Sequence, residues 1–203
     1  MHVALIDDDP AVLDSLKLYL ERQGIAVTCF ASADAFVAGN GQNKEEDFDC
    51  VVADVRMPGL SGLDLVRRFG AEGRTTTVVL ITGHGDIDMA VAAIKLGAAD
   101  FIEKPFDESR LLEAVRNAAG EARQKQIVTA ELADLRTRFD GLTERQRQVL
   151  ELAVTGLSNK EIAGRLGISF RTVEIHRAWM MERMGARNLA ELVRMEMQLK
   201  GAG

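Results

Sequence analysis

Four short stretches of this sequence carry side chains that could do chemistry together: Asp7-Asp8, Asp54, Thr82 and Lys104. Each closes a short apolar run, so each sits where a strand would end. Carboxylates gathered from separate strands repel. At about 4 Å and an effective dielectric of about 20, each pair costs on the order of 4 kcal/mol, which predicts a cation among them. Hard oxygen ligands with positions left for water suit a magnesium ion. A carboxylate beside such an ion is a competent nucleophile toward phosphorus, because phosphoryl transfer needs positioning and positive charge more than covalent help. The Thr82 hydroxyl can donate to a phosphoryl oxygen, and Lys104 can meet another as a point charge. Beyond Asp54, Met57-Pro58-Gly59-Leu60-Ser61-Gly62 supplies turn residues that let backbone groups approach. Singly, these residues have duller accounts: a strand-end aspartate caps a helix, Thr82-Gly83 turns the chain, Lys104-Pro105 is a surface step. Their joint occurrence in this order gives them weight.

The elements that must position them are readable from hydrophobic pattern. Short β-branched runs at Val3 to Ile6, Ala26 to Phe30, Val51 to Ala53, Thr77 to Ile81 and Asp100 to Ile102 alternate with segments of helical spacing. The helical segments are Pro10 to Gln23, a weak Ala33 to Ala38, Leu63 to Phe69, Met89 to Leu96 and Leu111 to Ala119. Strands alternating with helices predict an α/β doubly wound, five-stranded parallel sheet, whose ligands sit beyond the carboxyl ends of the strands. From Leu111 to Phe139 the pattern can ride on one helix with a polar middle, although Gly120 costs about 1 kcal/mol relative to Ala and allows a break.

Composition narrows the classes. The chain has 203 residues, 47% hydrophobic and 28% charged, with two cysteines and a net charge of −6. Cys29 and Cys50 form no C-x-x-C pair, which excludes a disulfide scaffold and gives structural zinc no cluster. No apolar run approaches the roughly 18 residues of a membrane span, and Asp7-Asp8-Asp9 interrupts any signal-peptide core. The expectation is a cytoplasmic protein without membrane contact. The charge is uneven: residues 1–120 hold 11 basic against 20 acidic side chains, and residues 121–203 hold 14 against 11. An acidic first part can hold a metal ion, and a mildly basic second part can approach a phosphate backbone.

Over residues 2 to about 121 the chain resembles the receiver domain of two-component response regulators. The resemblance implies that Asp54 accepts the phosphoryl group and that Asp8, Asp54 and the backbone carbonyl of Arg56 bind Mg2+, with Asp7 acting through water. It implies that Thr82 and Lys104 contact the phosphoryl group, the catalytic set being Asp54, Thr82 and Lys104. Phe101 matches the aromatic switch that moves with Thr82, and it also fits ordinary strand packing. Lys104-Pro105 matches a peptide that is typically cis in this family.

After Gly141 come three helix starts, Thr143 with Gln146, Ser158 with Glu161, and Ser169. Residues 142–195 read as short helices separated by glycine turns, a pattern in which the second helix of a pair can lie in the major groove. Ile162, Ala163, Leu166, Ile168 and Val173 are then core. Lys160, Arg171, Thr172, His176 and Arg177 are outward polar groups, although the two arginines also fit a solvated face. This part resembles the LuxR-type DNA-binding domain, an all-α four-helix helix-turn-helix domain. By that resemblance Asn159, Lys160, Thr172 and His176 hold phosphates, whereas Arg171, Glu174, Ile175 and Ala178 face bases, with Arg177 beside them. Many members carry lysine where this chain has Glu174, so the base preference is not transferable; a carboxylate can accept from cytosine N4 or orient an arginine. Leu189, Leu192, Val193 and Met195 mark either a dimer helix or the cover of the core.

The combination resembles the FixJ/NarL class of transcription regulators. The tracts Arg171-Thr-Val-Glu, His176-Arg177-Ala178 and Ile81-Thr-Gly-His-Gly-Asp resemble its nitrogen-fixation branch; the His84-Gly85 step also fits a mere loop preference. The expected organisation is a receiver at 1–121, a helical linker at 122–140 and a DNA-binding domain at 141–203. The implied partners are a sensor histidine kinase, double-stranded promoter DNA, RNA polymerase and a second copy on phosphorylation, in an activator of nitrogen-fixation or microaerobic genes that is not an enzyme. Two readings compete. A magnesium-dependent aspartyl-phosphate phosphatase places a second aspartate two positions after the nucleophile, where this chain has Arg56. A protein-binding adaptor has the same fold without DNA contact. A nucleotide-binding enzyme is disfavoured, since no G-x-x-x-x-G-K-[ST] occurs.

Overall fold

The computed structural model describes residues 1–40, 48–83 and 87–201, so the His84-Gly85 step lies outside the described residues. The chain divides into two compact units, Met1–Gln126 and Ile127–Gly203.

In the first unit β1 (His2–Ile6), α1 (Pro10–Arg22), β2 (Ala26–Phe30), α2 (Ala33–Asn40), β3 (Cys50–Asp54), α3 (Gly62–Ala71), β4 (Thr77–Thr82), α4 (Ile87–Lys95) and β5 (Asp100–Glu103) alternate. All strand pairs are parallel, in the order β2-β1-β3-β4-β5. Period-two alternation assigns the faces. Ala4, Ile6, Val51, Ala53 and Leu80 pack with Phe36, Leu65 and Phe69 on one side. Val3, Leu5, Val52, Val79 and Ile81 pack with Leu16, Leu20, Leu111 and Val115 on the other. Burial on both faces is what a parallel sheet requires, and it explains why the strands read as unbroken apolar runs.

Each run stops where its chain needs polar groups. The Asp9 side chain caps α1 by accepting from the Ala11 N–H at 2.8 Å, with Pro10 at the first helical position, where its missing N–H costs nothing. Ser61 and Asp64 form a capping box at the start of α3, and the Ser61 hydroxyl and N–H hold the Asp64 carboxyl below the usual carboxylate range. Gly59 has φ +80°, a left-handed turn, and the Leu60 N–H donates to Asp34 Oδ2 at 3.0 Å, which ties the loop after β3 to α2.

Helix α5 (Glu108–Asp140) is continuous for 33 residues, with no break at Gly120, and crosses from the first unit into the second. In the second unit α6 (Glu144–Val154), α7 (Asn159–Leu166), α8 (Phe170–Met184) and α9 (Leu189–Gly201) enclose Val149, Leu150, Ile162, Val173, Met180 and Leu192. The three expected caps are present: Thr143 and Ser158 form capping boxes, and Ser169 Oγ accepts from the Thr172 N–H at 3.0 Å. Gly167, at φ +64°, closes α7 and turns the chain into α8. Leu192 is fully buried, and Leu189, Met195 and Leu199 pack beside it, so α9 covers this core.

A tight backbone approach lies beside the candidate site. A Cβ added at Gly62 would stand 2.5 Å from the Asp54 carbonyl oxygen and 2.8 Å from Leu80 Cδ2. Gly62→Ala is therefore expected to cost about 1–3 kcal/mol through overpacking, measured by urea denaturation. An unchanged midpoint would show that this approach is not constraining.

Candidate functional site

The parallel order places the ends of β1, β3, β4 and β5 side by side on one edge of the sheet, at the point where the strand order reverses. Asp7 follows β1, Asp54 ends β3, Thr82 ends β4 and Lys104 follows β5. Asp7, Asp54 and Thr82 are buried, with exposures of 4%, 8% and 1%. The Lys104 ammonium donates to Asp7 Oδ2 at 2.9 Å and to Asp54 Oδ1 at 3.0 Å, joining residues 97 and 50 positions away. The remaining carboxylate oxygens are also engaged: Asp54 Oδ2 accepts from the Arg56 N–H at 2.7 Å, and Asp7 Oδ1 accepts from the Asp9 N–H at 2.9 Å. Burial by itself would depress the Lys104 ammonium; hydrogen bonds and charge from Asp7 and Asp54 outweigh it and raise the pKa above the ordinary lysine value of 10.5.

Asp8 is exposed beside Asp7, and among the described residues no group of three His, Cys, Asp or Glu side chains is drawn together. Lys104 supplies compensating positive charge between Asp7 and Asp54. The donor set fits magnesium, which is commonly held through one or two carboxylates and keeps several waters; Asp7 and Asp54 offer that many hard oxygen ligands. Phe101 is half-buried and packs on the α4 side of the sheet. Cys29 and Cys50 are free thiols, and burial raises both above the ordinary thiol range, Cys50 up to about 12, which disfavours the thiolate.

In the second unit, Arg171, Glu174, Ile175 and Ala178 share one side of α8 by helical spacing, and Arg171, Ile175 and Ala178 are exposed. Arg171 Nη1 meets Glu174 Oε2 at 3.2 Å. The other polar residues divide. Lys160 projects from α7 into solvent, whereas Arg177 Nη1 donates to Asn159 Oδ1 at 3.0 Å and pins α8 to α7. The Thr172 hydroxyl lies 2.7 Å from Ser169 Oγ, within the helix cap. His176 Nδ1 is buried without a hydrogen-bond partner among the described residues, its ring edge-on to Trp179 at 6.1 Å. Sequence reasoning missed Phe170 and Trp179, which are 51% and 54% exposed on the same helix. Large aromatics in an amphipathic pattern read as core, and only their outward position separates them from it.

A family model of the response regulator receiver domain matches residues 3–116, and one of bacterial regulatory proteins of the luxR family matches residues 140–196. The chain belongs to the response regulators, as a receiver followed by a LuxR-type DNA-binding module. Within that family it is FixJ-like. Transcriptional regulatory protein FixJ of Azorhizobium caulinodans is 49% identical over 193 residues, covering 95% of this chain and 90% of that protein. FixJ of Bradyrhizobium diazoefficiens is 44% identical over 198 residues, covering 97% and 95%. Among solved structures, the response regulator StyR matches with a TM-score of 0.83 at 38% identity, covering 97% of this chain and 98% of that one. Full-length FixJ from B. japonicum matches with a TM-score of 0.59 at 43% identity, covering 98% and 97%.

The ion-pair geometry makes a pH-dependent prediction. A raised lysine pKa contributes stability that is complete below the unfolded value of 10.5 and is lost as pH rises through the folded value. Near pH 7, Lys104→Met should destabilise the first unit by on the order of 1–3 kcal/mol, because it leaves two buried carboxylates facing each other. The gap between wild type and variant should close as denaturation is repeated at pH values rising above 10.5. A gap independent of pH would refute the assignment to this pair.

Proposed function

We propose that the chain is a phosphorylation-activated transcription regulator: Asp54 accepts a phosphoryl group from a sensor histidine kinase, two copies pair, and the second unit holds promoter DNA. The observation that carries this reading is a buried acid at the end of β3 between an ammonium and a backbone N–H, in a chain whose other part is a capped helix-turn-helix. A bond forms from an Asp54 oxygen to phosphorus as the bond from phosphorus to the donor's nitrogen breaks. Lys104, now held between Asp7 and Asp54, would turn to a phosphoryl oxygen, and Thr82 would donate to another. Asp7, Asp8, Asp54 and the Arg56 carbonyl would hold magnesium, which supplies further positive charge to the transferring group. Phe101 would follow Thr82 as the switch. Residues 1–121 would form the receiver, 122–140 the linker and 141–203 the DNA-binding domain.

Pairing follows from affinity. A single small module makes few phosphate contacts and binds weakly and with steep salt dependence, whereas two linked modules raise the effective concentration at paired half-sites. Asn159, Lys160, Thr172 and His176 would lie toward phosphates, and Arg171, Glu174, Ile175 and Ala178 toward the groove, with Arg177 also on the DNA-binding surface. The likeness to FixJ supports an activator of nitrogen-fixation or microaerobic genes that works in the cytoplasm with RNA polymerase. The phosphatase alternative lacks its acid: Arg56 occupies that position, its N–H already donates to Asp54, and a guanidinium does not give up a proton at neutral pH. The chain's chemistry is then limited to its own phosphoryl transfer and hydrolysis.

The test is incubation with a small phosphodonor and magnesium, followed by intact-mass and duplex-binding measurements. Wild type should gain one acid-labile phosphate and bind promoter DNA more tightly, while Asp54→Asn should gain none and stay at the basal affinity. Phosphate gain without any change in duplex binding would favour the adaptor reading.

A further inference from the structure

Resting on the DNA-binding reading, we propose that Arg171 and Glu174 act as one base-reading unit, in which Glu174 is a positioning residue that aims the Arg171 guanidinium at guanine. The pair sits in the first two turns of α8, the part of such a helix that meets base edges. Arg171 has a side-chain exposure of 80% and Glu174 of 39%, so their ion pair contributes little to stability. Its consequence is conformational. A free arginine on a helix samples many rotamers and loses that freedom on binding. Here Glu174 Oε2 takes one end of the guanidinium, at Nη1, and leaves donors on the rest of the fork for a groove acceptor. Guanine presents O6 and N7 together in the major groove, a spacing that the fork of an arginine matches.

The other arginine of this region behaves differently. Arg177 Nη1 donates to Asn159, a contact between α7 and α8 within the unit, and the Thr172 hydroxyl lies against Ser169 Oγ in the helix cap. Arg171 is thus an exposed cation on the α8 face that also carries Ile175 and Ala178, and the Glu174 carboxylate that it meets lies on that same face. A carboxylate facing DNA is repelled by phosphates, and the adjoining guanidinium offsets that cost locally. Desolvation in the groove then strengthens the pair beyond its worth in water.

The experiment is selection of duplexes from a randomised library by the phosphorylated full-length chain, with melting curves to verify folding. Wild type should enrich a guanine at one position of each half-site. Arg171→Ala should flatten that position and weaken binding about 5- to 150-fold. Arg171→Lys should flatten it while keeping the salt slope, since the charge remains and the fork is lost. Glu174→Gln should flatten the same position, and in the Arg171→Ala background it should change nothing further there. An unchanged profile in Glu174→Gln overturns the proposal. So does loss of preference at a neighbouring cytosine that persists without Arg171, because Glu174 would then read a base itself. If wild type enriches no sequence at all, the DNA-binding reading falls and takes this proposal with it.

Discussion

The arrangement of the first unit depends on a compensated repulsion. Parallel strands stand about 4.8 Å apart, so acids placed at the ends of β1 and β3 are brought close whether or not their charges tolerate it. Lys104, delivered from the far side of the sheet by β5, lies within 3.0 Å of both and settles the conflict. The sheet makes this possible because the Lys104 N–H donates to the Thr82 carbonyl at 2.7 Å, which fixes where the ammonium can reach. The backbone register, set by apolar residues on two buried faces, and the charge cluster at its edge therefore form a single constraint: shifting any of these strands by one residue would turn its core side chains to the wrong face and withdraw its polar end.

The second unit is organised on another principle. Its helices α6, α7 and α8 begin at hydroxyl caps three residues from their partners, and its turns close at Gly156, Gly167 and Gly185, all with positive φ. Most of what defines it is local in sequence. The first unit relies on pairs 50 and 97 residues apart, and such long-range closure carries the larger entropic cost. The two parts of the chain thus reach order by different routes, one by sheet topology and one by helix ends.

The same distinction decides what could be read in advance. Strand positions were legible because continuous β-branched runs suit a doubly covered sheet, and Thr143, Ser158 and Ser169 were legible as caps because their partners lie within one turn. The convergence of Asp7, Asp54, Thr82 and Lys104 was legible once parallel pairing was inferred. The cation that reconciles the acids was not: repulsion between carboxylates demands positive charge but does not say whether an ion or a side chain from β5 provides it. Burial at the edge was equally hidden, since one residue past buried Asp7 the Asp8 side chain stands in solvent. The bond from Arg177 to Asn159 likewise joins two helices whose packing no periodicity reports.

Under the proposed phosphoacceptor role, Asp54 is a reagent held in storage. Both of its oxygens already serve a donor, Lys104 on one and the Arg56 N–H on the other. Those bonds draw negative charge from both oxygens, so the resting carboxylate is a weaker nucleophile than a free one. Stray acylating or phosphorylating metabolites that bring no compensating charge would meet a barrier built into the resting state, and the background noise of a signalling circuit would be held down by the very contacts that keep the fold together.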